Sequence, residues 1–333
     1  MKYLSIFIAL LAMMSCADKT QVLPNPSGRA GEILIVMNDS DWKAQSGQIL
    51  KAAFTQDVAG LAWSEAIFDI SRIPRGAYND MVRIARNIID VEVGNRYSSG
   101  KIKFFREQYS REQAYVKIQA PDEASLLELI KANETKLVNY FYTAERNRLI
   151  KYFTKNANDK YTKDVKELIG YDITIPALFN HHNFSGKDFL WLSGGNVDAR
   201  TDLALYTIPC QDESLITKDY LIAKRDSVMK VNIPGPSKGA YVRTADVVSP
   251  TFSTVKINKV DLFEIRGLWE TTIDFMGGPF ISYAYYDAST KTLKVTEGFV
   301  YAPHEDKRNL ISRIEAVIYM WKPNSTSEIS TAE

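Results

Sequence analysis

Residues 280–301 read FISYAYYDASTKTLKVTEGFVY. The run alternates with a period of two, so Ile281, Tyr283 and Tyr285 share one strand face, and Leu293, Val295, Glu297, Phe299 and Tyr301 share one face of the next strand. Strands of this kind joined by short turns build an antiparallel sheet. One residue breaks the pattern. Glu297 stands among apolar neighbours, where an ionised carboxylate costs several kcal/mol unless it is paired or hydrogen-bonded. The nearest cation in sequence is Arg266 of FEIRGLW, although alternation sets it on the face opposite Phe263, Ile265 and Trp269. A β-bulge at Gly267 or Gly298 would re-aim one of the two. The expectation is therefore an Arg266–Glu297 pair within roughly 4 Å, structural in the first instance and a ligand site in the second. Trp269, Asp274 and Tyr283 complete this candidate set of ligand-binding or ion-paired residues.

Working outward, strands are expected at DITIPALF (172–179), DFLWLS (188–193) and DLALYTIP (202–209), then a helix at TKDYLIAKRDSVMK (217–230). Four or five more strands follow, with MGGP (276–279) as a tight connection. A last helix from about Pro303 carries Leu310, Ile311, Ile314, Val317, Ile318 and Trp321 at spacings of three and four. The first half offers strands at EILIVM, AIFDISRI, RNIIDVEV, KIKFFREQY and AYVKIQA. Its helices are DSDWKAQSGQILKAAF (39–54) and a long one opened by Pro121, Asp122 and Glu123, with Leu126, Leu127, Ile130, Leu137, Val138, Phe141, Leu149 and Ile150 on one stripe. The class expected is α+β, two domains, each a mainly antiparallel sheet with packed helices. The polar stretch after Phe153 marks the boundary, giving domains 31–157 and 158–321 and a disordered tail 322–333. Basic residues crowd that boundary, from Arg146 and Arg148 to Lys166, but Glu145, Asp159, Asp164 and Glu167 interleave with them as on a solvated helix face.

At the amino end, Lys2, the apolar run Tyr3–Met14 and small Ser15 precede Cys16. This has the layout of a signal peptide, residues 1–15. About twelve apolar residues reach only ~18 Å, short of the ~30 Å of a hydrocarbon core. The segment resembles the lipobox of bacterial lipoproteins, which implies acylation of Cys16 and a lipidated tether, residues 16–30, broken by Pro24, Pro26 and Gly28. Membrane attachment through acylated Cys16 is the first partner expected. Cys210 then has no mate for a disulfide. The net charge of +1 supplies no field to draw polyanions, which argues against nucleic acid.

Signatures of catalysis are absent from the sequence. GNRYSSGKI spaces its glycines one residue too widely for a phosphate loop and puts Ile102 where a magnesium ligand is needed. No GxSxG elbow or dinucleotide glycine pattern occurs. His181 and His182 point to opposite faces if extended, and HHNFSGKD reads as an exposed loop, so no metal or cofactor is assigned. Asp261, Glu264, Glu270, Asp274 and Glu297 fall in one stretch, but spacing alone does not pair them for glycoside hydrolysis.

The segments GRAGEILIVM, IAKRDSVMK, IPGPSKGAY, RGLW, DFMGGPFISY and EGFVYAP resemble the recurring blocks of a Bacteroidetes lipoprotein family of unknown function, domain of unknown function 4837, from about Pro24 to Trp321. The second half also resembles the PsbP and Mog1 class of α+β domains, mostly binding or assembly modules. These likenesses imply a lipid-anchored protein of the cell envelope, at the outer membrane or periplasmic face. The expected function is a binding or assembly module whose partner is an envelope protein or a glycan. The alternative is a carboxylate-dependent glycan hydrolase in the second domain.

Overall fold

The computed structural model describes residues 22–170, 172–185, 188–196 and 198–322. Cys16, the signal segment, the tether up to residue 21 and the tail from residue 323 lie outside the described residues. The chain is an α+β protein built on two sheets.

The first half contains β1 (Glu32–Val36), α1 (Asp39–Lys43), α2 (Gln45–Phe54), β2 (Asp69–Ile73), β3 (Asn87–Val93), β4 (Lys101–Arg106), β5 (Ala114–Ala120) and α3 (Glu123–Lys155). The strands lie in the order β2-β1-β3-β5-β4. Here the expectation of a mainly antiparallel sheet is corrected. The ladders β1–β2, β1–β3 and β3–β5 are parallel, and only β4–β5 is antiparallel. The physical reason is the crossover: α1 and α2 carry the chain back along the sheet between β1 and β2, and a parallel pair needs such a return. One face of this sheet is covered by α2 and α3, whose Leu50, Phe54, Leu126, Ile130, Leu137 and Phe141 are buried against Ile35, Ile89, Val116 and Ile118. Part of the presumed tether is bonded to this body. Ser27 N–H donates to Ile84 O at 3.0 Å, and Arg111 N–H donates to Pro24 O at 2.9 Å.

Helix α3 starts where the side chain of Asp122 accepts from the Ser125 amide, with Pro121 just before it. Its 33 residues span about 50 Å at the usual rise. Only the first two-thirds lie on the first core; Leu149, Ile150 and Phe153 pack into the core of the second half. Three residues separate α3 from α4 (Asp159–Ile169), and they are held: Asn158 N–H donates to Ile175 O at 2.7 Å, and Asn156 O accepts from Ala177 N–H at 2.8 Å.

The second half adds β6 (His181–Ser185), β7 (Phe189–Gly195), β8 (Arg200–Pro209), α5 (Lys218–Asn232), β9 (Val242–Thr244), β10 (Thr251–Ile257), β11 (Val260–Thr271), β12 (Gly277–Asp287), β13 (Thr292–Tyr301) and α6 (Arg308–Ile318). The sheet order is β10-β11-β12-β13-β8-β7-β6, with β9 on β11, and every ladder is antiparallel. Two local expectations change. HHNFSGKD is not a free loop, because residues 181–185 pair with β7. DITIPALF forms isolated bridges at Asp172 and Pro176 instead of a strand. Helix α5 packs on one face of the sheet; α6, α4 and the end of α3 pack on the other. Helix α6 sits unusually close. A Cβ added at Gly298 of β13 would stand 1.8 Å from Ile314 Cγ2.

Candidate functional site

The structure corrects the expected pairing of Glu297. The β11–β12 and β12–β13 registers run unbroken through Gly267 and Gly298, so no bulge re-aims either side chain. Arg266 and Glu297 consequently point to opposite faces of the sheet. Glu297 is fully buried on the α5 face, and its partner is Arg225 of α5: Nη2 lies 2.8 Å from Oε1, and Nε donates to both carboxylate oxygens at 2.9 and 3.1 Å. Thr244 Oγ1 accepts from Arg225 at 3.0 Å, and the Phe280 ring lies 3.9 Å from the guanidinium carbon. Burial works against the charge on Arg225, and Glu297 more than offsets it. The sequence carried a signal for this: Leu221, Arg225 and Met229 repeat every fourth residue, which sets an arginine on the buried stripe of α5.

Arg266 belongs to a different network, on the α6 face where the two halves meet. It donates to Glu264 at 3.0 Å, to Glu315 of α6 at 3.1 Å and to the Tyr283 hydroxyl at 3.3 Å. Tyr142 of α3 donates to Glu315 at 2.6 Å. Burial alone would raise the Glu264 carboxyl, but Arg266 outweighs it and holds that group below the usual range. Burial and the neighbouring Glu315 push the Tyr283 hydroxyl well up, so it stays protonated. A second set of pins fastens the halves nearby. The Glu65 carboxylate accepts from the amides of Lys307 and Arg308 at 2.9 and 2.7 Å, closing the amino end of α6. Arg308 meets Asp69 at 2.7 Å and donates to Ala66 O at 3.0 Å.

Trp269 and Asp274 lie elsewhere again, on an open cleft of about 650 Å³ between residues 62–65 of the first half and the β11–β12 connection. Trp269 is buried in the cleft floor, its indole N–H donating to Val300 O at 3.0 Å. Asp274 is engaged by Ser237, whose amide donates at 3.2 Å. Around the rim stand large apolar side chains in water: Trp63 at 77% exposed, Val247 at 79%, Ile273 at 58%, and Phe275 fully exposed at the tip of the connection. A turn of this kind is normally polar, so the apolar residues of TTIDFMGG were the missed signal. The five candidates therefore divide among three places: Glu297 in a core pair, Arg266 and Tyr283 in the inter-half network, Trp269 and Asp274 at the cleft. The carboxylates of the 261–297 stretch do not converge. Asp261 faces Lys256 at 3.3 Å, and Glu270 meets Arg243 at 2.6 Å.

The first sheet carries one more polar cluster, on the face away from α3. Asp90 and Glu92 are buried there beside Arg75 and Lys117, with Arg75 Nη2 at 2.6 Å and Lys117 Nζ at 3.1 Å from Glu92. Burial alone would raise Glu92, but Tyr97, Lys117, Gln119 and Arg75 converge on it and bring its carboxyl down to about 2. Among the described residues no group of three or more histidine, cysteine or acidic side chains is placed to hold a metal ion. Among them, too, no helix is long and apolar enough to cross a membrane.

Comparison with protein families divides the chain at the same place as the two sheets. Residues 158–320 match the model of a domain of unknown function, DUF4837, and residues 26–154 match a separate one, DUF8532. The resemblance read from the sequence as one family over both halves thus resolves into two domain families. No curated protein matches the chain.

Proposed function

We propose that this protein is a lipid-anchored binding or assembly module of the cell envelope, and that the cleft between the halves is its contact surface. The observation that carries the reading is the rim of Trp63, Val247, Ile273 and Phe275 around about 650 Å³ of open space. Exposed apolar clusters of this kind mark places where another molecule is received, and tryptophan and other aromatic side chains are favoured anchors at interfaces. The likeness of the second half to PsbP and Mog1 modules supports the same reading. So does the lipobox-like run before Cys16, which would hold the module at the outer membrane or periplasmic face of the envelope. Glycan hydrolysis finds less support, because the carboxylates on the cleft wall are taken. Glu65 closes helix α6, Glu270 faces Arg243, and Asp274 faces Ser237.

Two experiments test the parts separately. Cys16→Ala should move the protein out of the membrane fraction and abolish labelling by a fatty-acid analogue; retained labelling would overturn the anchor. A photo-crosslinking residue at position 275 should give a discrete adduct in intact cells, whereas one at the exposed Lys131 on the far part of α3 should not. Equal adducts from both positions would remove the cleft from the proposal.

A further inference from the structure

A second cavity, of about 130 Å³, lies between α3 and α6 and is distinct from the open cleft. Its apolar wall includes Ile67, Phe68 and Leu149, and its polar wall includes Arg146 and Arg313. Arg146 is the odd member. Its side chain is only 17% exposed, yet its guanidinium donates no hydrogen bond to any described residue; the nearest carboxylate oxygen, Glu315 Oε1, is 3.9 Å away. The guanidinium carbon lies 3.6 Å from the centre of the Tyr319 ring, which packs it without satisfying its five N–H donors. Its nitrogens are not sealed in the protein, so these donors are left to water or to a ligand in the cavity.

The acids on the cavity wall do not meet this demand. Glu315 is occupied by Arg266 at 3.1 Å and Tyr142 at 2.6 Å. Glu145 is occupied by Arg86 at 2.8 Å, Arg148 at 2.7 Å and the Asn87 amide at 2.6 Å. Arg308, also on the wall, is itself taken up by Asp69, which lies outside the cavity. Arg313, exposed at the mouth, has no ion pair among the described residues. The wall therefore combines committed carboxylates, two arginines with donors to spare, and an apolar pocket behind them.

We propose that this cavity binds a small organic monocarboxylate, with the carboxylate on Arg146 and Arg313 and the hydrocarbon part against Phe68 and Leu149. A planar guanidinium matches a carboxylate through paired hydrogen bonds. Size sets the rest. A cavity of about 150 Å³ holds a benzene, so 130 Å³ suits about six non-hydrogen atoms, the size of butyrate, and excludes a folded partner or a peptide chain.

The test is calorimetric titration of the full chain in detergent with n-butyrate and with its neutral isostere butyramide. Saturable binding of butyrate at millimolar concentration is expected, with butyramide at least tenfold weaker. Arg146→Gln should weaken butyrate at least tenfold and Arg313→Gln severalfold, and Leu149→Phe should block the site by filling it. Equal binding of the two probes, absence of saturation by butyrate, or undiminished affinity in Arg313→Gln or Leu149→Phe would overturn the proposal. The exposed Arg313 keeps the test decisive if Arg146→Gln does not fold.

Discussion

At the scale of single residues, the charges matter through what they leave behind when removed. Glu297→Gln should strand Arg225 in the core without a counter-charge and cost about 3–5 kcal/mol, read as a lower urea midpoint. Binding at the cleft should survive in the folded fraction, because neither Arg225 nor Glu297 lines it. Glu92 makes a prediction in pH. Its carboxyl titrates at about 2 in the fold against an ordinary 4.5, so its stabilising contribution is fully present above the higher value and is lost as the pH falls through the lower one. Glu92→Gln should flatten the loss of stability between about pH 5 and about pH 3, measured by urea unfolding at each. Much of this was legible in the sequence. Alternation alone gave the face of Glu297 and the opposite face of Arg266, and both hold. The partner was not legible along a strand, because it comes from α5, some 70 residues earlier, and only the fourfold spacing around Arg225 hinted at it.

At the scale of elements, the decisive contact is the seat of α6 on β13. Gly298→Ala should push α6 off the sheet, since the new methyl would meet Ile314 at 1.8 Å, and should cost about 1–3 kcal/mol or more. Ile314→Ala alone should cost about 2–5 kcal/mol. The double substitution should cost less than the sum, because the space vacated by Ile314 receives the added methyl; strict additivity in a double-mutant cycle would refute the contact. Elements with strong periodicity were readable: the stripes of α3 and α6 and the alternation of β12 and β13 appear, although α6 begins at Arg308 rather than near Pro303 and ends before Trp321. The parallel ladders of the first sheet were not, because NIIDVEV and EILIVM look alike in either direction, and ladder sense is fixed by the return of α1 and α2 rather than by the strands themselves. The cleft was half readable. Trp269 and Asp274 fall on it, but Trp63 comes from the other half of the chain, and no local pattern places it there.

For the whole molecule, the two halves are cross-braced rather than strung together. Helix α3 supplies side chains to both cores, Glu65 of the first half closes α6 of the second, and Tyr142 and Arg266 hold the same Glu315 from opposite sides. Fragments 22–157 and 158–322 made separately should therefore lack a cooperative unfolding transition, and mixing them should restore one. Two independently stable halves would show that the bracing is dispensable. The long helix also bears on the kinetics of encounter. A helix of about 50 Å packed on both cores works against a hinge between the halves, so a visiting molecule should meet a mouth of fixed width. Capture should then be a single bimolecular step, with an observed rate that climbs in proportion to partner concentration and shows no plateau, at an ordinary protein–protein value of about 10⁵–10⁷ M⁻¹s⁻¹. Discrimination among visitors would fall on how long each one stays.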